Sequence, residues 1–574
     1  MRRIGLALSM MALAAGAQAQ TQADPEAGTG FAPKPLVTAE RHMIVTANPR
    51  ASRAADAILA RGGSAADAAI TALLVLNVVE PQSSGIGGGA FALVQGPDGL
   101  TSWDARETAP MAASPEMFME DGDILPFWDA VRSGHSIGTP GLIALMDALH
   151  HRHGRLPWAE LFEPAITLSR DGFAVSPRLA GLLERYAGRL EGTDVARIFV
   201  PDGQPLKEGA ILRQPELAMT LEVIAEGGRD AFYTGAIALE IETSVAREPR
   251  PGALTSMDLL EYAVKERPAV CHPYRQFRVC GMGPPSSGAT TVGQILMLLD
   301  RFKPDELELD GPRLWHLFAG ASRLAYADRA RYLADEDFVK VPLKGLLDPA
   351  YMDARARLIH PFEAATEKAE AGEPPWREGR LYAPDTQEDL PGTTHLSVVD
   401  GAGLAISLTA SIETAFGSGR MAGGFILNNQ LTDFSFRPTD AEGQAIANAV
   451  APGKRPRSSM APTIAYLEDK VVALTGSPGG SRIPEYVAQS LIAMLAFDRD
   501  AAEAAAIPHV SQRNRGSVAV EPHIAPAIKE GLAERGHEVE EREMTSGLGI
   551  ILIRGDGMFQ GGADPRREGL AIGR

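Results

Sequence analysis

Residues 361–392 limit most strongly how this chain can fold. The run EKAEAGEPPWREGRLYAPDTQEDLPG holds so few apolar residues among its prolines and charges that it cannot build a core, and it reads as a mobile segment. The fold must be assembled from what flanks it. Upstream, Ala51–Arg61 and Ala65–Val79 carry helical apolar spacing and are parted by Gly62-Gly63, with Ser64 as N-cap and Asp67 at N3. Short β-type runs follow at Ala90–Gln95 and Leu100–Trp103, joined by the turn signal Gly96-Pro97-Asp98-Gly99. Gly141 to Leu358 is mostly helical, with a β-rich patch near Phe277–Met282. Downstream, three hairpins are expected: His395–Asp400 with Leu404–Ser411, Thr463–Leu467 with Val471–Thr475, and Gly549–Arg554 with Met558–Gln560. Helices Ile483–Phe497 and Ala525–Arg535 lie between them. Antiparallel hairpins interleaved with apolar helices predict an α+β fold of stacked sheets covered by helices.

Charge removes several function classes. The 574 residues hold 55 Lys+Arg against 73 Asp+Glu, a net −18, without the basic stripe of a nucleic-acid binder or an electrostatic membrane anchor. Two cysteines exclude a disulfide scaffold and a Cys-rich metal cluster. The first twenty residues read as a secretory signal. Arg2 and Arg3 form the charged region, Ile4 to Ala15 the apolar run, and Ala17-Gln18-Ala19 the cleavage site, with cutting after Ala19. No later segment has eighteen uninterrupted apolar residues, so no membrane anchor is expected after signal removal. The mature protein is expected to be soluble and periplasmic or secreted, where a Cys271–Cys280 disulfide is permitted across the turn-like His272-Pro273-Tyr274.

Three attractive motifs have plainer readings. Gly85-Ile86-Gly87-Gly88-Gly89-Ala90 fits a dinucleotide fingerprint, but a helix precedes it and a strand follows, the reverse of what nucleotide binding needs. A backbone-dense turn near a site fits better. Gly134-His135-Ser136-Ile137-Gly138 is formally a nucleophile elbow, yet no convincing strand precedes it, and Thr139-Pro140 opens the next helix. His150, His151 and His153 end an amphipathic helix, where cations suit the dipole.

The informative stretch is Gly392-Thr393-Thr394-His395-Leu396-Ser397-Val398-Val399-Asp400. A hydroxyl residue after glycine, behind a poorly structured segment and opening a strand, suits self-processing. The Thr393 hydroxyl can attack the Gly392 carbonyl, pass through an ester and cut the chain. The freed Thr393 then carries nucleophile and base together, because an α-amine titrates at about 7.7–8.0. The plainer reading is that Thr393 and Thr394 cap a strand.

PGTTHLSVVD, SIETAFGSG, LNNQLTDFS, GKRPRSSMAPTI and TGSPGGSRI occur in the order seen in γ-glutamyltranspeptidases, the glutathione hydrolases of the N-terminal-nucleophile superfamily. PQSSGIGGGAF, DARETAP, GTPG, AYADRARYLADEDFVKVP and PPSSGATT also resemble that family, so the likeness runs from about Val45 to Asp564. It implies a four-layer αββα sandwich built jointly by a large subunit, 20–392, and a small catalytic subunit, 393–574, cut from one precursor. Thr393 matches the nucleophile, and Thr394 the second threonine that supports it. Arg106 matches the arginine holding the substrate α-carboxylate, for which a guanidinium fork is suited. Its plainer role is an ion pair with Asp104 or Glu107. Ser458 and Ser459 match a serine pair on the same carboxylate, Gln430 and Asp433 the residues holding the α-ammonium, and Gly479 and Gly480 the oxyanion glycines. No cofactor or metal is implied. The expected partners are a glutathione-like γ-glutamyl donor and a water, amino-acid or peptide acceptor.

Three departures bear on specificity. Ser411 stands where the family usually has threonine, and Glu413 replaces an asparagine near Asp433, putting two carboxylates in the ammonium region. Between Phe434 and Ser458, where many relatives carry a tyrosine-bearing lid, the segment is short and only Phe436 is aromatic, which predicts an open groove. The leading expectation is a γ-glutamyl hydrolase/transpeptidase. An acylase of the same fold acting on non-γ-glutamyl amides such as glutaryl amides is second. A serine esterase using Ser136 and a non-catalytic binding protein are the readings from other classes.

Overall fold

The computed structural model describes residues 28–375, 381–387 and 392–574; the expected signal and its cleavage site lie outside them. Two seven-stranded sheets dominate. One runs Val37–Ala39, Phe559–Ala563, Gly549–Ile553, Lys470–Thr475, Thr463–Leu467, Phe277–Gly281, Val270–Tyr274. The other runs Leu570–Gly573, Met43–Thr46, Thr393–Val399, Ala405–Ser411, Gly89–Gly96, Gly99–Ala105, Lys265–Arg267. Neighbouring strands are antiparallel throughout both. Each sheet interleaves strands from before and after residue 393.

Strand alternation sorts side chains into layers. Leu396 and Val398, with Leu408 and Ile406 opposite, join a core with helices Pro49–Ala60, Ala65–Val79, Leu142–His153 and Trp158–Asp171. Met43, Val45, Leu93, Val399 and Ala405 face the other way and meet Ile464, Tyr466, Leu474, Ile551 and Phe559 of the partner sheet. Beyond that sheet, helices Gly288–Leu299, Pro312–Tyr332 and Ile483–Phe497 bury its outer face. The order is therefore helix, sheet, sheet, helix: the expected αββα sandwich.

Local chemistry explains the elements the sequence announces. Helices Ala65–Val79 and Ile483–Phe497 have the expected bounds, and Ser64 and Asp67 form a reciprocal capping box. The turn at Pro97-Asp98 joins Gly89–Gly96 to Gly99–Ala105, and Cys271 lies directly opposite Cys280 in a formed disulfide. The described parts of the segment after residue 361 run over the body on polar tethers. Gly372 N–H donates to Asp328 (2.8 Å), Ala369 N–H to Asn514 (2.8 Å), and Ala383 bridges Ile446. Among the described residues no helix is long and apolar enough to cross a membrane.

Candidate active site

Thr393 opens its strand directly opposite Ser411, and the same alternation points both side chains into the space between the sheets. The Thr393 hydroxyl lies 3.5 Å from Ser411 Oγ. Ser411 Oγ in turn donates to the Gly392 carbonyl oxygen at 2.9 Å and accepts the Glu413 N–H at 2.9 Å. One hydroxyl thus touches both the carbonyl at the expected cut and the group expected to attack it. Gly392 is small for a steric reason: a Cβ there would sit 1.9 Å from the Glu413 carbonyl oxygen. Glu413 itself is held at φ +79°, a left-handed conformation that costs a non-glycine residue about 1 kcal/mol or more.

Thr394 takes the opposite face, toward the helix layer. Its hydroxyl is buried without a hydrogen-bond partner among the described residues, so its side chain is not brought to Thr393. His395 shares the face of Thr393 and continues a polar seam between the sheets through Thr409 (2.9 Å) and Ser397 (3.1 Å). Burial pushes its imidazole down to about 3, which keeps it uncharged.

A second cluster surrounds Arg106, which is 1% exposed. Its guanidinium pairs with Asp433 and donates to the carbonyls of Pro456 (3.1 Å) and Arg457 (3.0 Å). Burial alone would lower the pKa of Arg106, but Asp433, Glu107 and Glu413 together raise it. Gln430 Nε2 donates to Asp433 at 2.8 Å. Of the two simpler pairings, the one with Glu107 is present at long range and the one with Asp104 is not: Asp104 accepts the Arg106 backbone N–H but gives its carboxylate to Arg267 (2.7 Å) and Arg455. Glu107 stands 3.8 Å from Arg106, and neither of its oxygens has a hydrogen-bond partner among the described residues. Burial pushes it up to about 8.

Ser458 and Ser459 follow Arg457 and are held from behind. Ser287 bonds the Ser458 carbonyl through N–H (2.7 Å) and hydroxyl (2.8 Å), while Arg329 donates to Ser459 Oγ (2.7 Å) and Ser287 Oγ (2.9 Å). Gly479 and Gly480 have φ +136° and +57°, and a Cβ on Gly479 would meet the Tyr486 ring at 2.5 Å. Next to them Ser477 Oγ accepts the Gly547 N–H (3.0 Å), and Gly547 packs against Arg567, whose guanidinium lies 3.5 Å from the Thr393 carbonyl oxygen.

Several supporting residues carried no sequence signal. Asn448 donates to the Asp433 carbonyl (2.7 Å) and to Asp385 (2.9 Å), and Asp385 also takes Arg457 Nη2 (3.0 Å). The chain just ahead of the expected cut is thereby tied to the Arg106 cluster. Asn429 Oδ1 accepts both the N–H and the hydroxyl of Thr414 (3.0 Å each).

The motifs given plainer readings behave accordingly. Gly87 and Gly88 lie against the carbonyls of Ile426 and Ser411 in a backbone-dense turn, after a helix and before a strand. Ser136 is buried in a 3-10 turn, and its hydroxyl is directed to the Val131 (2.7 Å) and Ser133 (2.9 Å) backbone carbonyls. His150 bonds the Leu156 carbonyl (2.9 Å) and His151 pairs with Asp147 (3.3 Å). Phe436 is not free to act over a groove: it is buried, stacked on Phe118 with centroids 4.5 Å apart, in a small core with Phe434 and Val450.

A family description, Gamma-glutamyltranspeptidase, matches residues 51–574. The chain is 36% identical over 546 residues to the glutathione hydrolase proenzyme of Bacillus subtilis (strain 168), covering 92% of this chain and 91% of that one. Its identity to the glutathione hydrolase proenzyme of Escherichia coli (strain K12) is 36% over 540 residues, with the same two coverages, 92% and 91%. Among solved structures, cephalosporin acylase from Bacillus halodurans superposes with a TM-score of 0.84 at 27% identity, over 96% of this chain and 99% of that one.

Proposed function

The chain belongs to the gamma-glutamyltranspeptidase family, and from that we propose that it is a γ-glutamyl hydrolase/transferase activated by cutting itself between Gly392 and Thr393. The observation that carries the proposal is the Ser411 hydroxyl, which donates to the Gly392 carbonyl and sits beside the Thr393 hydroxyl. A donor on that carbonyl stabilises the oxyanion that forms when Thr393 Oγ1 attacks. The tetrahedral adduct expels the Thr393 nitrogen, which takes a proton, and leaves a Gly392 ester on Oγ1. Water hydrolyses that ester to give a large subunit ending at Gly392 and a small one starting at Thr393.

In the cut enzyme the Thr393 α-amine takes the hydroxyl proton as Oγ1 attacks the γ-amide of the donor. Gly479 and Gly480 are free of side chains where backbone N–H groups can meet the oxyanion. The amine leaves with a proton, and the γ-glutamyl ester passes to water or to an amine acceptor. Arg106 takes the α-carboxylate with help from Ser458 and Ser459; Asp433, with Gln430 and Glu413, takes the α-ammonium. The Arg106–Asp433 pair supports this reading, because a substrate zwitterion replaces one internal ion pair with two external ones and strands neither charge.

The likeness to a cephalosporin acylase favours one second reading, hydrolysis of acyl amides without an α-amine. The test is intact mass of wild type and Thr393→Ala, followed by turnover of γ-glutamyl and glutaryl anilides. Two fragments meeting at Gly392/Thr393, an uncut variant and faster γ-glutamyl turnover support the proposal. An uncut wild type overturns the nucleophile, and faster glutaryl turnover transfers the assignment to the acylase.

A further inference from the structure

Arg323, on helix Pro312–Tyr332, is 9% exposed, and its described partner is one backbone carbonyl, that of Ala365. Among the described residues it meets no carboxylate, and burial alone lowers its pKa. Burying a guanidinium without a counter-charge is costly, and buried cations are ordinarily paired. His316 on the same helix hydrogen-bonds His537 at 2.8 Å, so a second polar pair lies at the same place without an acid. Both imidazoles are lowered chiefly by burial; His316, Arg323 and Arg535 add to this for His537, and for His316 the arginines Arg535 and Arg313 add to it against the opposing bond to the His360 carbonyl. With both imidazoles held uncharged, Arg323 is left as a buried cation whose described partner is a neutral carbonyl.

Two cavities meet at this point, and Arg323, Lys368 and His537 line both. One is mixed in character and adds Arg515 and Glu538. The other, about 270 Å³, is walled by Leu324, Leu358, Ile359 and the alanines of 364–371. The carboxylates at its rim, Glu363, Glu367 and Glu370, are exposed and make no ion pair with Arg323 among the described residues. We infer that this junction is a binding site for a small amphiphilic carboxylate, its head on Arg323 and its apolar tail among Leu324, Leu358 and Ile359. Charge complementarity fixes the head, and the apolar wall fixes the tail. The site joins the helix and the 360–371 segment, which precede residue 393, to His537, which follows it.

Isothermal titration calorimetry of the full-length protein with octanoate tests this, using octylamine and inorganic phosphate as contrasts. Octanoate is expected to bind one to one, octylamine not at all, and phosphate far more weakly. Arg323→Gln should weaken octanoate roughly tenfold or more, the worth of a charge-assisted contact, while Arg323→Lys should retain binding. Equal binding of octylamine, phosphate as tight as octanoate, or unchanged affinity in Arg323→Gln would each overturn the site. Should Arg323→Gln fail to fold, the ligand contrasts in wild type and Arg323→Lys still decide.

Discussion

Arg106 and Asp433 stand 327 positions apart in the chain yet form a closed ion pair, each almost wholly out of water. One lies just past the end of strand Gly99–Ala105, the other in the 3-10 turn Gln430–Asp433. The pair is a matched set of charges that a zwitterion can take over.

Removing one member should therefore be costly. Asp433→Asn leaves Arg106 buried beside a neutral amide, and about 3–5 kcal/mol of stability should be lost, read as a lower urea midpoint. The double variant Arg106→Leu/Asp433→Leu should recover much of that loss but no γ-glutamyl turnover. Equal instability of the double variant would show that the pair is not the source.

Ser411→Ala deletes the donor on the Gly392 carbonyl and the acceptor of the Glu413 N–H. Self-cutting should slow by about 10²–10³, the cost of one oxyanion donor. The decay of the full-length band after denaturation-free purification measures it. An unchanged rate would remove Ser411 from the cutting step.

Gly392→Ala tests the close approach at the same bond. A Cβ 1.9 Å from the Glu413 carbonyl must displace either the strand entry or the left-handed Glu413. The full-length chain should accumulate while far-ultraviolet circular dichroism stays near wild type. Normal maturation would show that the approach is not needed for the cut.

Glu107 predicts a pH signature. Its folded pKa is raised from 4.5 to about 8, so between those values the native state keeps a proton that the unfolded chain has released. Its contribution is fully present below pH 4.5 and is lost as pH rises toward 8, at up to roughly 1.4 kcal/mol per pH unit. Urea midpoints of wild type and Glu107→Gln from pH 5 to 8 should diverge, the variant giving the flatter curve. Parallel curves would exclude a shifted Glu107.

Much of this was legible in sequence wherever the cause is local. Periodicity and a capping box delimit Ala65–Val79, and glycine turns delimit the hairpins. The αββα order and the site residues came instead from the family resemblance. Geometry across long separations was not readable. Nothing near Arg106 announces Asp433 as its partner, nor does anything near Phe436 announce Phe118. Thr394 is a different case: motif position gave it a supporting role, and strand alternation, which turns neighbouring side chains to opposite faces, places its side chain on the helix-layer side. The 361–392 segment lacks core-forming residues, yet Asp385 within it is 4% exposed and held by Arg457 and Asn448, which composition alone does not reveal.

Each sheet pairs strands from before residue 393 with strands from after it. Breaking one peptide bond therefore frees neither product, because each fragment holds the other in place by edge-to-edge pairing. The proposed cut would nevertheless change the return journey. Before it, folding is a search by one molecule; after it, two unfolded fragments must find each other, and recovery depends on dilution. A protein cut at residue 393 would thus trade reversibility for persistence: its lifetime at low concentration would be governed by how fast it first opens.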